Sequence, residues 1–166
     1  MIQIYTGEGK GKTTAAVGLT IRAIGHGKRV YFAQFMKAWP TGELEILQRL
    51  DGVIIDRSWD GYFVKGEPTP LQKGLVKEQY RRIFAAFCKP FDLIVCDEII
   101  VTHLFGLLEE RDILELMEAL PHSKELVLTG RGATTAMIQK ADLVSYIQKI
   151  KHYFDKGMQA REGIEF

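Results

Sequence analysis

The chain has 166 residues, 46% of them hydrophobic, a length that predicts one domain with its own core and leaves no room for a second. Lysine and arginine (22) nearly cancel aspartate and glutamate (21), so no global field steers the protein to nucleic acid or an acidic membrane, and a small-molecule partner is expected. Cys88 and Cys96 lack metal-type spacing, no apolar run is long enough to span a membrane, and a strand starting at Met1 leaves no space for a signal peptide, so a cytoplasmic protein is expected.

The first predicted element is a strand over residues 2–5 that runs into Thr6-Gly7-Glu8-Gly9-Lys10-Gly11-Lys12-Thr13-Thr14. Strand, glycine-rich turn, Gly-Lys-Thr and helix in succession make a phosphate cradle. Glycines let backbone N–H groups turn inward onto an anion, Lys12 can reach the outer phosphates, and Thr13 can offer its hydroxyl to Mg2+. The helix predicted over residues 13–26 carries Ala16, Leu19, Ala23 and Ile24 at helical spacing, ends at Gly25-His26-Gly27, and adds the positive end of its dipole. The residues expected to hold the phosphates are therefore Gly7, Glu8, Gly9, Lys10, Gly11, Lys12, Thr13 and Thr14. The usual pattern has four residues between its first glycine and the Gly-Lys-Ser/Thr end. Here only three separate Gly7 from Gly11, and counting from Thr6 puts threonine where glycine belongs, so the loop is a shortened variant.

Further strands are predicted at 29–35, 53–56, 93–96, 125–129 and 144–150. Between them a Gly- and Pro-rich stretch at 60–70 reads as a surface loop, and helices are predicted over 71–87, 109–120 and 133–140. This alternation predicts an α/β protein of P-loop NTPase type, with a mostly parallel sheet of about six strands and helices on both faces. Ligands on such sheets bind beyond the carboxyl ends of the strands.

Two later strands end in charged residues at that edge. Phe91-Asp92-Leu93-Ile94-Val95-Cys96-Asp97-Glu98 delivers two carboxylates that can hold Mg2+ beside the Thr13 hydroxyl. Leu126-Val127-Leu128-Thr129-Gly130-Arg131-Gly132 delivers a guanidinium whose fork of donors suits a pair of phosphate oxygens. A small P-loop kinase, with Asp97 as its base, or a nucleotide-binding switch without chemistry would use the same parts. The four histidines, His26, His103, His122 and His152, show neither metal-ligand spacing nor a nucleophile to activate.

Taken with Gln34-Phe35-Met36-Lys37, then Trp39, Thr41, Gly42 and Glu43, and with the stretches Lys151-His152-Tyr153-Phe154-Asp155-Lys156-Gly157 and Gln159-Ala160-Arg161-Glu162-Gly163-Ile164-Glu165-Phe166, these motifs resemble the P-loop ATP:corrinoid adenosyltransferases. The likeness covers almost the whole chain and includes the shortened loop. It implies attack by the Co(I) of a reduced corrinoid on C5' of ATP, with the whole triphosphate leaving and the phosphates reversed along the loop relative to ordinary NTPases. Lys12 and Arg131 would then stabilise the leaving group, and Thr13 with Glu98 or Asp97 would hold Mg2+. The resemblance further implies a homodimer and a reductant such as a flavoprotein. Trp39, Tyr62 and Phe63 are candidates for the corrin face, although the family's usual aromatic segment is shifted here to Ser58-Trp59-Asp60-Gly61-Tyr62-Phe63-Val64. Trp59, Tyr62 and Phe63 serve equally well in loop packing, and Phe35 in the core.

Overall fold

The computed structural model describes residues 1–166. Its strands are β1 (Ile2–Thr6), β2 (Val30–Gln34), β3 (Val53–Arg57), β4 (Leu93–Asp97), β5 (Glu125–Thr129) and β6 (Leu143–Tyr146), all parallel, in the order β3-β2-β4-β5-β1-β6. The helices are α1 (Lys12–Gly25), α2 (Gly42–Leu47), α3 (Pro70–Phe87), α4 (Ile99–Leu104), α5 (Glu110–Glu118) and α6 (Thr135–Lys140). None is long and apolar enough to cross a membrane. The periodicity of the sequence does not reveal α2 and α4, because six residues give less than two turns over which a stripe could repeat.

Strand side chains alternate between two cores, as a period of two requires. Ile2, Ile4, Tyr31, Ala33, Phe35, Ile94, Cys96, Leu126 and Leu128 face the larger cluster with α3, α4, α5 and α6. Tyr5, Val30, Phe32, Leu93, Val95 and Val127 face the smaller one, closed by Ala16 of α1 and Leu47 of α2. The central strands are thus apolar on both faces, and helices cover both sides of the sheet. Burying side chains such as Phe32 and Phe35 completely contributes about 1.5–3 kcal/mol each, which makes the sheet a firm support for the loops at its carboxyl edge. Phe35 is therefore a core residue.

The last strand stops earlier than residues 144–150 predict. Beyond Tyr146 the chain bends over the glycine-rich loop: Ile147 donates its N–H to the Thr6 carbonyl at 2.8 Å, and its own carbonyl accepts the Gly9 N–H at 2.7 Å. A Cβ built on Gly7 would lie 2.5 Å from the Ile147 oxygen, and one on Gly9 2.8 Å from the same atom, so the glycines admit a crossing backbone as well as an anion. Gly9→Ala is expected to destabilise the fold by about 1–3 kcal/mol in a urea titration. Gly18→Ala, on an open face of α1 with nothing within 4 Å, should raise stability by about 0.5–1 kcal/mol in the same measurement.

Candidate active site

Asp97, the last residue of β4, is fully buried where four elements meet. Its Oδ1 accepts from the Thr13 hydroxyl at 2.9 Å and the Thr129 hydroxyl at 2.7 Å, and its Oδ2 from Gln34 Nε2 at 3.1 Å and Lys37 Nζ at 3.2 Å. Four donors use up the acceptor capacity of one carboxylate. Asp97 therefore locks the start of α1 to the ends of β2 and β5, and it is not free to take a proton from a substrate. Because the single Thr13 proton goes to Asp97, the hydroxyl's lone pairs are left for a cation.

Lys12 opens α1 and folds back across the loop, its Nζ donating to the carbonyls of Gly7 at 2.8 Å and Gly9 at 2.7 Å. Burial pushes its pKa down, while the neighbouring Glu98 carboxylate pushes it up. The ammonium is thus held over the anion cradle without a carboxylate bound to it. The two non-glycine residues with left-handed backbone, Met36 (φ 58°) and Glu98 (φ 63°), both lie just past strand ends at this edge. Such conformations cost roughly 1–3 kcal/mol each and gather at functional sites. Here they turn Lys37 and Glu98 into one cavity of about 410 Å3 with Gly9, Gly11, Lys12, Thr13 and Thr14.

The sequence model of a family described as ATP:corrinoid adenosyltransferase BtuR/CobO/CobP matches residues 1–166. The chain belongs to this family. Its reaction is transfer of the adenosyl group of ATP to cobalamin. The corrinoid adenosyltransferase of Escherichia coli is 32% identical over 171 residues, covering 100% of this chain and 85% of its own length. Corrinoid adenosyltransferase CobA of Salmonella typhimurium is 32% identical over 168 residues with the same coverage, and the Pseudomonas aeruginosa relative is 34% identical over 175 residues, covering 100% and 83%. Among solved structures, the KaiC-like protein PH0186 of Pyrococcus horikoshii OT3 superposes with a TM-score of 0.57 at 19% identity, over 98% of this chain and 75% of that one. At that identity the likeness is one of fold.

Within this adenosyltransferase the residues expected around ATP fall into three groups. Gly9, Gly11, Lys12, Thr13, Thr14 and Glu98 line the cavity, and Asp97 stands behind it. Gly7 lies under the crossing chain at Ile147, and Glu8 and Arg131 sit at the rim, paired at 3.4 Å with more than half of each side chain exposed. Gly130 seats the Arg131 turn against α4, since a Cβ there would lie 2.9 Å from the Val101 nitrogen. Lys10 lines the cavity, but its Nζ is bonded to Tyr153, Ile164 and Glu165 near the end of the chain. Trp39 and Phe63 pack with ring centroids 5.1 Å apart and planes tilted by 48°, and are exposed beside Tyr62, while Trp59 packs against the larger core and donates its indole N–H to the Tyr62 carbonyl at 2.9 Å.

Sequence reasoning assigned no role to Gln34, Lys37 or Thr129, which supply three of the four bonds to Asp97. Their signal was positional. Gln34 and Thr129 each end a strand directly after an apolar run, both fully buried, and a buried polar side chain needs a partner.

The donor set also suits Mg2+, which takes few protein ligands and completes its shell with water and substrate phosphates. The Thr13 lone pairs are open, and the Glu98 carboxylate enters the cavity with no hydrogen bond from the protein. Burial, and next the charge of Asp97, raise the Glu98 pKa. A carboxyl whose pKa is raised by folding binds its proton more tightly in the native state, so stability falls as pH rises from the ordinary glutamate value through the raised one. Glu98→Gln should abolish that dependence and raise the melting temperature of the ATP-free protein at neutral pH. Thermal melts between pH 4 and 8 check the sign.

Proposed function

We propose that this chain carries out its family's reaction at this edge of the sheet: the Co(I) of a reduced corrinoid attacks C5' of ATP, the cobalt–carbon bond forms as the C5'–oxygen bond breaks, and triphosphate leaves intact. The observation that carries the reading is the saturated Asp97 beside a cavity rich in cations and backbone donors. The lining contains no serine or cysteine, and its one histidine, His152, has Nδ1 occupied by the Phe154 N–H at 3.1 Å. No protein nucleophile is needed, because the substrate brings its own.

What the chain supplies is position and charge. The loop N–H groups and the first turn of α1 grip the triphosphate, and Lys12 exchanges its two loop carbonyls for phosphate oxygens. Arg131 swings from Glu8 onto the same group. Asp97 fixes the Thr13 hydroxyl so that it and Glu98 would hold Mg2+, which would neutralise charge on the phosphates. Gripped in the family's reversed sense, the nucleotide turns C5' outward, toward the corrin. Trp39, Tyr62 and Phe63 offer that corrin an exposed apolar surface at the same edge, one that disfavours water as a lower cobalt ligand. A kinase would need a free base: Asp97, the sequence candidate for that role, has no lone pair to give, and in this reading Glu98 serves the cation.

A reductant, a flavoprotein by the family likeness, delivers the electron that makes Co(I), and the enzyme works in the cytoplasm as a homodimer. Support for self-association comes from β6, an edge strand with all four residues exposed, followed by exposed Ile150 and Phe154. The reaction is tested by mixing the protein with ATP, Mg2+ and chemically reduced cobalamin and following the absorption spectrum. A photolabile alkylcobalt product supports the proposal. Nucleotide binding without that product would leave a switch protein.

A further inference from the structure

Lys10 sits in the middle of the phosphate loop, yet its side chain serves another partner. Its Nζ donates to Glu165 Oε1 at 2.7 Å, to the Tyr153 hydroxyl at 2.8 Å and to the Ile164 carbonyl at 3.0 Å. Those are all the donors an ammonium has, so none remains for phosphate. Glu165 also accepts from the Tyr153 hydroxyl, from the Arg161 N–H at 2.7 Å and from the Arg161 guanidinium at 3.3 Å. Both cations lie over the Tyr153 ring, Arg161 at 4.9 Å and Lys10 at 5.5 Å. Glu165 is thereby the centre of the cluster, with its side chain only 16% exposed.

The cluster bears on the nucleotide because Gly163, Ile164, Glu165, Phe166 and His152 line the same cavity as the loop. We propose that residues 152–166 form a strap that Glu165 fastens to the phosphate loop through Lys10, and that this strap is a wall of the ATP site, with Glu165 as its positioning residue. The inference rests on the reading of the cavity as an ATP site. A carboxylate beside a triphosphate would ordinarily repel it. Here Lys10 and Arg161 neutralise that charge, and in return the strap is ordered before ATP arrives, which removes an ordering cost from binding.

The test is calorimetric titration of ATP and Mg2+ into the protein without corrinoid. Glu165→Gln should weaken ATP about tenfold through the lost preorganisation. The melting temperature should fall by only a few degrees, with the unfolding transition still cooperative, and transfer at saturating ATP should stay within about twofold, so the loss falls on KM and not on kcat. Lys10→Met carries the same test from the loop side, and the double variant should be no weaker than either single one, because both break one connection. Electrostatics without a strap predicts the opposite sign: removing a negative charge next to a triphosphate tightens ATP or leaves it unchanged, and that result for Glu165→Gln overturns the proposal. Weakening by Lys10→Met alone would make Lys10 a phosphate ligand and overturn it too. A wild-type protein that fails to bind ATP overturns the proposed function together with the strap, whereas wild-type binding that survives Glu165→Gln overturns the strap alone.

Discussion

Lys12→Ala is expected to reduce adenosyl transfer by roughly 10^3-fold while leaving the fold intact. The ammonium is bonded only to two loop carbonyls, those of Gly7 and Gly9, so its loss removes one tie within a loop that Ile147 also holds from outside. Those two bonds from a half-buried ammonium are together worth about 1.5–3 kcal/mol, too little to unfold the domain. The functional loss is larger, because a cation held ready over the cradle stabilises charge that develops only as triphosphate departs. Rates of corrinoid conversion at saturating ATP, beside a circular dichroism melt, separate the two effects. Wild-type turnover in the variant would show that Lys12 plays no part in the leaving group.

The second large effect is expected at Asp97, and there stability and activity should fall together. Asp97→Ala leaves the Lys37 ammonium, the Gln34 amide and the Thr13 and Thr129 hydroxyls facing a buried space with no acceptor. Removing one partner of a buried ion pair costs about 3–5 kcal/mol, a large part of the total stability of about 5–15 kcal/mol of such a domain. Asp97→Asn keeps the volume but turns a donor toward two donors, so it should recover little. The adjacent Glu98→Gln change is expected to stabilise. Opposite signs from neighbouring carboxylates would distinguish the one that holds the site together from the one held in reserve for a cation. A urea titration of each variant without nucleotide makes the comparison.

The fold was legible in the sequence where physical signals repeat. Apolar strands alternating with helical stripes imply a parallel sheet covered on both faces, which the structure has, and the glycine-rich loop lies at the carboxyl edge of that sheet, as its place directly after the first strand implies. Leu143–Tyr146 and the bend after it were less legible, since Ile147 and Ile150 read as strand by composition, while the backbone bonds of Ile147 go to Thr6 and Gly9. Helices of six residues gave no period to read. At the site, Thr13 and Asp97 could be paired because both belong to motifs with known chemistry. The bonds from Gln34, Lys37 and Thr129 could not, because they depend on β2 and β5 flanking β4, a strand order that no local pattern encodes. Lys10 shows the same limit. Its place in the motif suggested phosphate, and only the return of residues 152–166 reveals the carboxylate it serves.

The shortened loop, the left-handed turns at Met36 and Glu98, and the saturated Asp97 all fit a site that grips triphosphate as a leaving group. The most direct measurement is phosphorus NMR of the products formed from ATP, Mg2+ and chemically reduced cobalamin. The account predicts inorganic triphosphate released one for one with adenosylcobalamin. ADP together with a phosphorylated acceptor or free phosphate, and no alkylcobalt product, would contradict it.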